Sequence, residues 1–562
     1  MRRKITLRRT PRRRDWTLRL IMQPPFPLSS PNMHTPVTLA LVNARIWTGD
    51  SRRPWADAMA VAGNTIVAVG SSAEIKKLAG TVAVIDAKGQ MVVPGFVDSH
   101  VHFLQGGLAL QSVQLRDAKT REEFVRRIAA FAVNAKHGTW IERGDWDHEL
   151  WGGELPTREW IDAVTPDHPV WINRLDGHMA LANTLALKAA GITRDTPDVD
   201  GGTIVRDARG NPTGVFKDNA MLLVSRAIPA LSDAAWDSAL HDAMQYVASH
   251  GVTSVHNMGY WEELAVFKRA HDRRALRTRI YAAVPLASWE QLRDDIEAHG
   301  RGDDWLTIGG LKAFVDGSLG SHTAAMLEPF TDAPNDTGLL VNDVDDLYRW
   351  TRDADAAGLQ VIVHAIGDRA IRLQLDVYER VMRENGARDR RFRIEHAQHL
   401  SAPDVPRFGA LGVIASVQPY HAIDDGRWAE RVIGPERAKL TYAFNSLLKN
   451  GASVAFGSDW FVAPPVPLLA IDAAVNRRTL DGLNPGGWIP AEKVLVEQAL
   501  RAHTIDAARA GFQDTRIGSI ERGKLADFVV IDRDLTRVPT TEISEARVVM
   551  TVLGGRIVYG GL

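Results

Sequence analysis

The chain has no cysteine. That excludes disulfides, thiolate zinc sites and a cysteine nucleophile at once, so any metal must be held by His, Asp, Glu or a modified side chain. Long apolar runs are missing too: nothing approaches the roughly 20 apolar residues that a bilayer-crossing helix needs. Nor is there a surplus of one charge. The 67 Lys and Arg against 68 Asp and Glu leave a formal net charge of −1, which gives no reason to expect nucleic acid or an anionic membrane as the main partner. A cytoplasmic protein is the expectation. What is present is 562 residues, 45% hydrophobic and 24% charged. That is globular composition, with more length than one ordinary domain uses.

The one strongly charged stretch is the start, "MRRKITLRRTPRRRD", with eight Lys or Arg before Asp15. The segment after it is interrupted by Arg19, Gln23 and prolines, so it makes a poor signal peptide. Residues 1–36 are expected to be a disordered basic tail, or an extension upstream of Met33. A targeting or polyanion-binding arm is the alternative.

From about residue 38 short β-like runs appear, among them "MAVAGNTIVAVG", where Gly63-Asn64 has hairpin-turn chemistry. Similar runs return only at the far end, in "ADFVVIDRDL" and "ARVVMTVLGGRIVYGG". Short strands are not stable alone, so the two ends are expected to form one β-sandwich domain over 37–93 plus 511–562. Between them, over 94–510, apolar strand-like runs alternate with amphipathic helical stretches. Eight runs can be picked, from "VVPGFVDSH" through "LKAFVDGS", "VIVHAIGD" and "RIEHAQH" to "VAFGSD". Eight β–α units predict a closed (β/α)8 barrel with its chemistry at the strand C-terminal ends. Residues of about 103–245 are too many for a loop and are expected to form an inserted subdomain after barrel strand 1. Trp140, Trp146, Trp151, Trp160 and Trp171 fall in it, mostly as its own core.

The polar residues sit where those runs stop. His100 and His102 alternate on a strand and so face one way; His364, His396 and Asp459 close three later runs. One such residue is ordinarily a satisfied core group, but five in phase point to a divalent metal. Imidazole and carboxylate suit zinc best, with iron(II) or manganese(II) as alternatives. Lys312 lies in an apolar strand, where an ammonium is costly unless paired. Two readings stand: a pair with a carboxylate such as Asp316, or a carbamate formed with CO2, which is anionic and able to bridge two metals.

"PGFVDSHVH", "GSDW" and the closing "GSIERGKLADFVVID" resemble the amidohydrolase superfamily. "DGHMALANT", "LKAFVDGSLGSHTAA", "VHAIGDRA" and "RIEHAQHL" resemble its amidohydrolase-3 branch, which includes N-substituted formamide deformylase. The resemblance runs from about residue 38 to the end. It implies a (β/α)8 barrel with a β domain from both chain ends. It also implies one metal on His100 and His102, a second on His364 and His396, and Lys312 as a carboxylated bridge, with Asp459 on the first metal facing the attacking water. Two departures stand beside the site: His322 where the branch often has arginine, and Phe461 where proline is usual.

The expected function is therefore metal-dependent hydrolysis of an amide-type, non-peptide C–N bond in a small molecule, with Asp459 as general base and then general acid. His178, Asp316 and His322 are the candidates for substrate contact. His399 and His421 are expected to be structural or rim residues, and His503 to lie in a helix packed under the barrel. A homodimer is common in families of this appearance. The alternatives are a mononuclear deaminase or cyclic amidohydrolase on the same fold, and a non-enzymatic relative.

Overall fold

Strands that are apolar along their length need cover on both faces, and a ring of helices supplies it. The structure, a computed structural model, describes residues 36–82 and 84–562; the basic start of the chain lies outside them. The barrel strands are β1 (Phe96–Val101), β2 (Val252–Met258), β3 (Arg279–Pro285), β4 (Leu306–Phe314), β5 (Gln360–Ala365), β6 (Arg393–His396), β7 (Ile414–Val417) and β8 (Ser453–Phe456). They form one eight-stranded sheet in sequential order, every pair parallel. The last and first strands are laced just past β8. There the Asp459 N–H donates to the His100 carbonyl at 2.7 Å and the His102 N–H to that of Trp460 at 2.6 Å. Closure of the barrel thus occurs at the level where the polar strand ends meet.

Both chain ends build the sandwich. Strands Leu39–Val42, Ala58–Ala62, Thr65–Gly70 and Val84–Asp86 make a four-stranded sheet, and Gly63-Asn64 connects the second to the third. In the six-stranded sheet the C-terminal strand Phe528–Ile531 runs antiparallel to Met91–Pro94, Phe528 opposite Pro94. The two sheets share one apolar core, with Leu41, Met59 and Val61 against Val92, Phe528, Val530 and Met550.

A buried ion pair ties the sandwich to the barrel. Arg279, at the start of β3, donates from Nε and Nη2 to the Asp527 carboxylate at 2.6 and 2.9 Å, with both side chains buried. Removing one partner leaves the other charge uncompensated. Asp527→Ala is therefore expected to lower the unfolding free energy by about 3–5 kcal/mol, measured by denaturant titration; a loss below about 1 kcal/mol, the range of an exposed pair, would contradict this.

The insert after β1 carries a five-stranded sheet built from strands between Ile141 and Asp218. Trp146, Trp151 and Trp160 pack in one of its clusters, Trp140 and Trp171 in another. They are core.

Candidate active site

The ends of β1 and β8 meet first. The register of β1 against β2 shifts between Asp98 and Val101, a bulge that re-aims side chains. His102 lies one residue beyond the strand. Strict alternation therefore does not carry the His-x-His pair to the centre, yet both rings arrive there. Nε2 of His100 and Nε2 of His102 each stand 3.3 Å from Asp459 Oδ1. Asp98 Oδ1 accepts the backbone N–H groups of His100 and Ser458 at 3.2 and 2.9 Å, fixing the two strand ends to each other. Gly457 is needed here because a Cβ would lie 2.6 Å from the His100 nitrogen.

The hydrogen-bond network assigns the imidazole tautomers. His100 Nδ1 donates to Glu395 Oε2, so Nε2 is the bare nitrogen. His364 Nε2 donates to the Gly317 carbonyl at 3.0 Å, leaving Nδ1 bare. His396 Nδ1 donates to Gln418 Oε1 at 2.9 Å, leaving Nε2. The His364 and His396 rings are 4.4 Å apart, and those of His396 and His100 4.9 Å. One ligand atom each from His100, His396 and Asp459 lie within 4.8 Å of one another.

Burial holds His100, His364 and His396 well below the ordinary imidazole range, and the nearby Lys312 charge adds to the effect. Neutral imidazole is the ligand form. Burial opposes ionisation of Asp459, but the His100 and His102 imidazoles hold its carboxyl well below the usual range. The backbone of His396 (φ 72°) and of Asp459 (φ 61°) is left-handed, a conformation that costs about 1–3 kcal/mol and collects at functional sites.

Lys312 is buried in β4, and its Nζ has no hydrogen-bond partner. Burial brings its ammonium down to about 8, against the pull of Glu395 and Asp459. Of the two readings offered for Lys312, the pairing with Asp316 is not formed among the described residues. Asp316 instead accepts three backbone N–H groups, from Ala325 (2.8 Å), Ile366 (3.0 Å) and Gly367 (2.8 Å). Its carboxylate is spent on tying the loops after β4 and β5 together, and it does not line the cavity. His322, a second expected substrate contact, hydrogen-bonds Asp332 at 3.0 Å on the rim and is likewise outside the cavity lining. His178 does line it. Its Nδ1 donates to Asp218 Oδ1 at 2.7 Å. Burial favours the neutral ring, but Asp218 and Asp176 hold it above its ordinary value.

Several residues that sequence reasoning passed over matter here. Glu395 receives His100 on one oxygen and Arg393 Nε on the other at 2.8 Å, all three side chains fully buried. The signal was available: charged residues at alternate positions of "RIEH", in a strand that must be buried. From the insert, Arg174 reaches the cavity with Asp176 at 2.7 Å. Gly320 permits this, because a Cβ there would lie 2.6 Å from the guanidinium. His421, expected to be a structural or rim residue, lines the cavity instead. His399 bonds Thr441 Oγ1 at 2.9 Å, and His503 packs between Phe96 and Phe456. The cavity holds about 470 Å³ of space, opening included. A second one of about 530 Å³, lined by Tyr260, Leu286, Phe314 and Trp350, reaches His102 and Lys312.

His100 Nε2, Asp459 Oδ1 and Lys312 Nζ are thus polar atoms buried without partners. Left so they are costly, and bare imidazole nitrogens facing a carboxylate are a donor set that a divalent cation fits. A parallel eight-stranded barrel carrying such a set at its strand C-terminal ends defines a metal-dependent hydrolase.

The chain belongs to the Amidohydrolase family, whose sequence profile matches residues 83–559. It is 43% identical to Protein LONG AFTER FAR-RED 3 of Arabidopsis thaliana, over 93% of this chain and 91% of that one. It is 30% identical to N-substituted formamide deformylase of Arthrobacter pascens, over 93% and 98%. The crystal structure of an uncharacterized metal-dependent hydrolase from Pyrococcus horikoshii superposes with a TM-score of 0.73 at 31% identity, covering 90% of this chain and 99% of that one. Among the described residues no helix is long and apolar enough to cross a membrane.

Proposed function

We propose that the protein hydrolyses an amide-type, non-peptide C–N bond of a small molecule, giving a carboxylic acid and an amine. The observation that carries this reading is the buried cluster from β1, β6 and the loop after β8, in which ligand atoms of His100, His396 and Asp459 lie within 4.8 Å of one another. In the proposed centre His100, His102 and Asp459 would hold one divalent ion and His364 and His396 a second, with Lys312, as its CO2 adduct, a further ligand. Zinc is the first choice, with iron or manganese as alternatives. When bound, the metal supplies Lewis acidity toward the substrate carbonyl and toward water.

The chain's own residues do the rest. Asp459 takes a proton from the attacking water and returns it to the departing nitrogen. An amide gains most from that return, because an amine anion is a poor leaving group. Asp218 and Asp176 favour the charged form of His178, in which Nε2 also carries a hydrogen that can be offered to the substrate oxygen. Lys312 has a lowered pKa, so part of it is uncharged amine at neutral pH, the form that adds CO2 with loss of a proton.

A screen of metal-loaded protein against formamides, N-acyl amino acids, cyclic amides and amino-substituted heterocycles tests the assignment. Amine release from an amide is expected. Ammonia release from the heterocycles alone would transfer the site to the deaminase reading, which has one feature in its favour: the His100, His396 and Asp459 cluster is complete without Lys312.

Glu395 sets the tautomer and angle of His100. Glu395→Gln is expected to weaken metal affinity by about 10–100-fold, measured by competition with a chelator. An unchanged affinity would show that the contact does not position the ligand.

A further inference from the structure

The helix after β7, Pro419–Asp425, plays no part in the chemistry above, yet it forms a wall of the cavity. His421, Asp424, Asp425 and Trp428 all line it. They fall at i, i+3, i+4 and i+7, one face of a helix, and the helical turn continues past the glycine because the Trp428 N–H donates to the Asp425 carbonyl at 2.9 Å. A helix face turned to a protein's interior is ordinarily apolar. This one carries an imidazole, two carboxylates and an indole.

The charges on that side do not balance. Asp176 pairs with Arg174 at 2.7 Å, Asp147 with Arg174 and Arg427 at 3.3 and 3.0 Å, and Asp424 with Arg427 and, at 3.7 Å, Arg116. Three arginines therefore meet three aspartates, and Asp425 is left over. Asp425 is half-buried; its Oδ2 accepts the Tyr442 hydroxyl at 2.5 Å and the Gln398 amide at 3.2 Å, and among the described residues no hydrogen bond or ion pair reaches Oδ1. Burial, with the neighbouring Asp424 charge, raises this carboxyl to about 7 against the Tyr442 hydrogen bond and the more distant pull of Arg174 and Arg427. A second observation points to the same space. His421 is 9% exposed, and its Nε2 has no hydrogen-bond partner. Natural structures rarely leave such groups unpaired unless a ligand pairs them.

We propose that this helix face is the substrate-recognition wall, and that it selects amides bearing a cationic ammonium or guanidinium substituent, bound by Asp425 Oδ1 and His421 with Trp428 packed over the charge. The proposal rests on the hydrolase reading for the word amide only; the preference for a cation stands on the wall itself. Trp428 adds a cation–π face. An anionic substituent meets an excess of carboxylate; the Arg174 guanidinium beside it is occupied by Asp176, Asp147 and His148, and Arg116, whose Nη atoms hydrogen-bond no described residue, does not line the cavity.

Binding to the metal-loaded protein by isothermal calorimetry, with three probes that ligate metals poorly, tests this. Phenylguanidinium and phenylurea share a shape and differ in charge; benzenesulfonate supplies the anion. Phenylguanidinium is expected to bind about tenfold tighter than phenylurea, with benzenesulfonate the weakest. Asp425→Asn is expected to bring the first two to about equal affinity, and His421→Ala to weaken both. Equal binding of the guanidinium and the urea by wild-type protein, tighter binding of the sulfonate, no binding of any probe, or a cation preference that survives Asp425→Asn would each overturn the proposal. The wild-type comparison stands whether or not a variant folds. Cation preference without turnover of any amide would overturn the hydrolase reading alone; amide turnover without cation preference would overturn this proposal alone.

Discussion

Asp459→Asn is expected to lower kcat by about 10²–10⁴-fold, the range for loss of a positioned general base and acid, while divalent metal still binds. Asparagine keeps the shape of the side chain and one carbonyl oxygen toward His100 and His102, so the site is not dismantled. What it loses is the ability to take up a proton and give it back. Nearest to Asp459 are the imidazoles of His100 and His102 at 3.3 Å and of His396 at 4.0 Å, which as proposed ligands have no free lone pair to replace it. Metal analysis and kcat are the two readouts. Turnover near the wild-type value with metal in place would remove Asp459 from proton transfer.

Lys312→Met is expected to reduce the bound metal from two ions to one and to lower kcat/KM by about three orders of magnitude. Metal polarisation of a carbonyl contributes several kcal/mol, at about 1.4 kcal/mol per tenfold. In the metal-free protein stability is expected to hold or rise, because methionine fills similar volume and removes a buried amine that hydrogen-bonds no described residue. The two effects in opposite directions make the test specific. A lysine kept only for packing would move neither metal count nor rate, and a mononuclear deaminase would keep its single ion and its activity.

The barrel was legible because its strands are short, largely apolar runs separated by helical stretches, and several of them stop at a polar residue. The candidate ligands His364, His396 and Asp459, at or just beyond the ends of three such runs, stood out for the same reason. Position on a strand end fixes where a side chain lies; position in a loop does not. Asp316 and His322 follow β4 just as His364 ends β5, yet the turn sends one carboxylate into backbone N–H groups and one imidazole to the rim. The wall formed by His421, Asp424, Asp425 and Trp428 was readable as a helix face, but the sequence did not say which neighbour that face meets. Arg174 was hidden still further. It enters the cavity from an insert whose docking over the barrel depends on contacts between segments hundreds of residues apart, such as Asp147 with Arg427 at 3.0 Å.

Side chains from separate strands must share a buried point and hold divalent ions there for any of the proposed chemistry to occur. Native mass spectrometry of the intact chain tests it most directly, with metal identity read in parallel by elemental analysis. Two divalent ions and the added mass of one CO2 per chain are the predicted result. A folded chain that keeps no ion after loading with zinc, iron(II) or manganese(II) would contradict it.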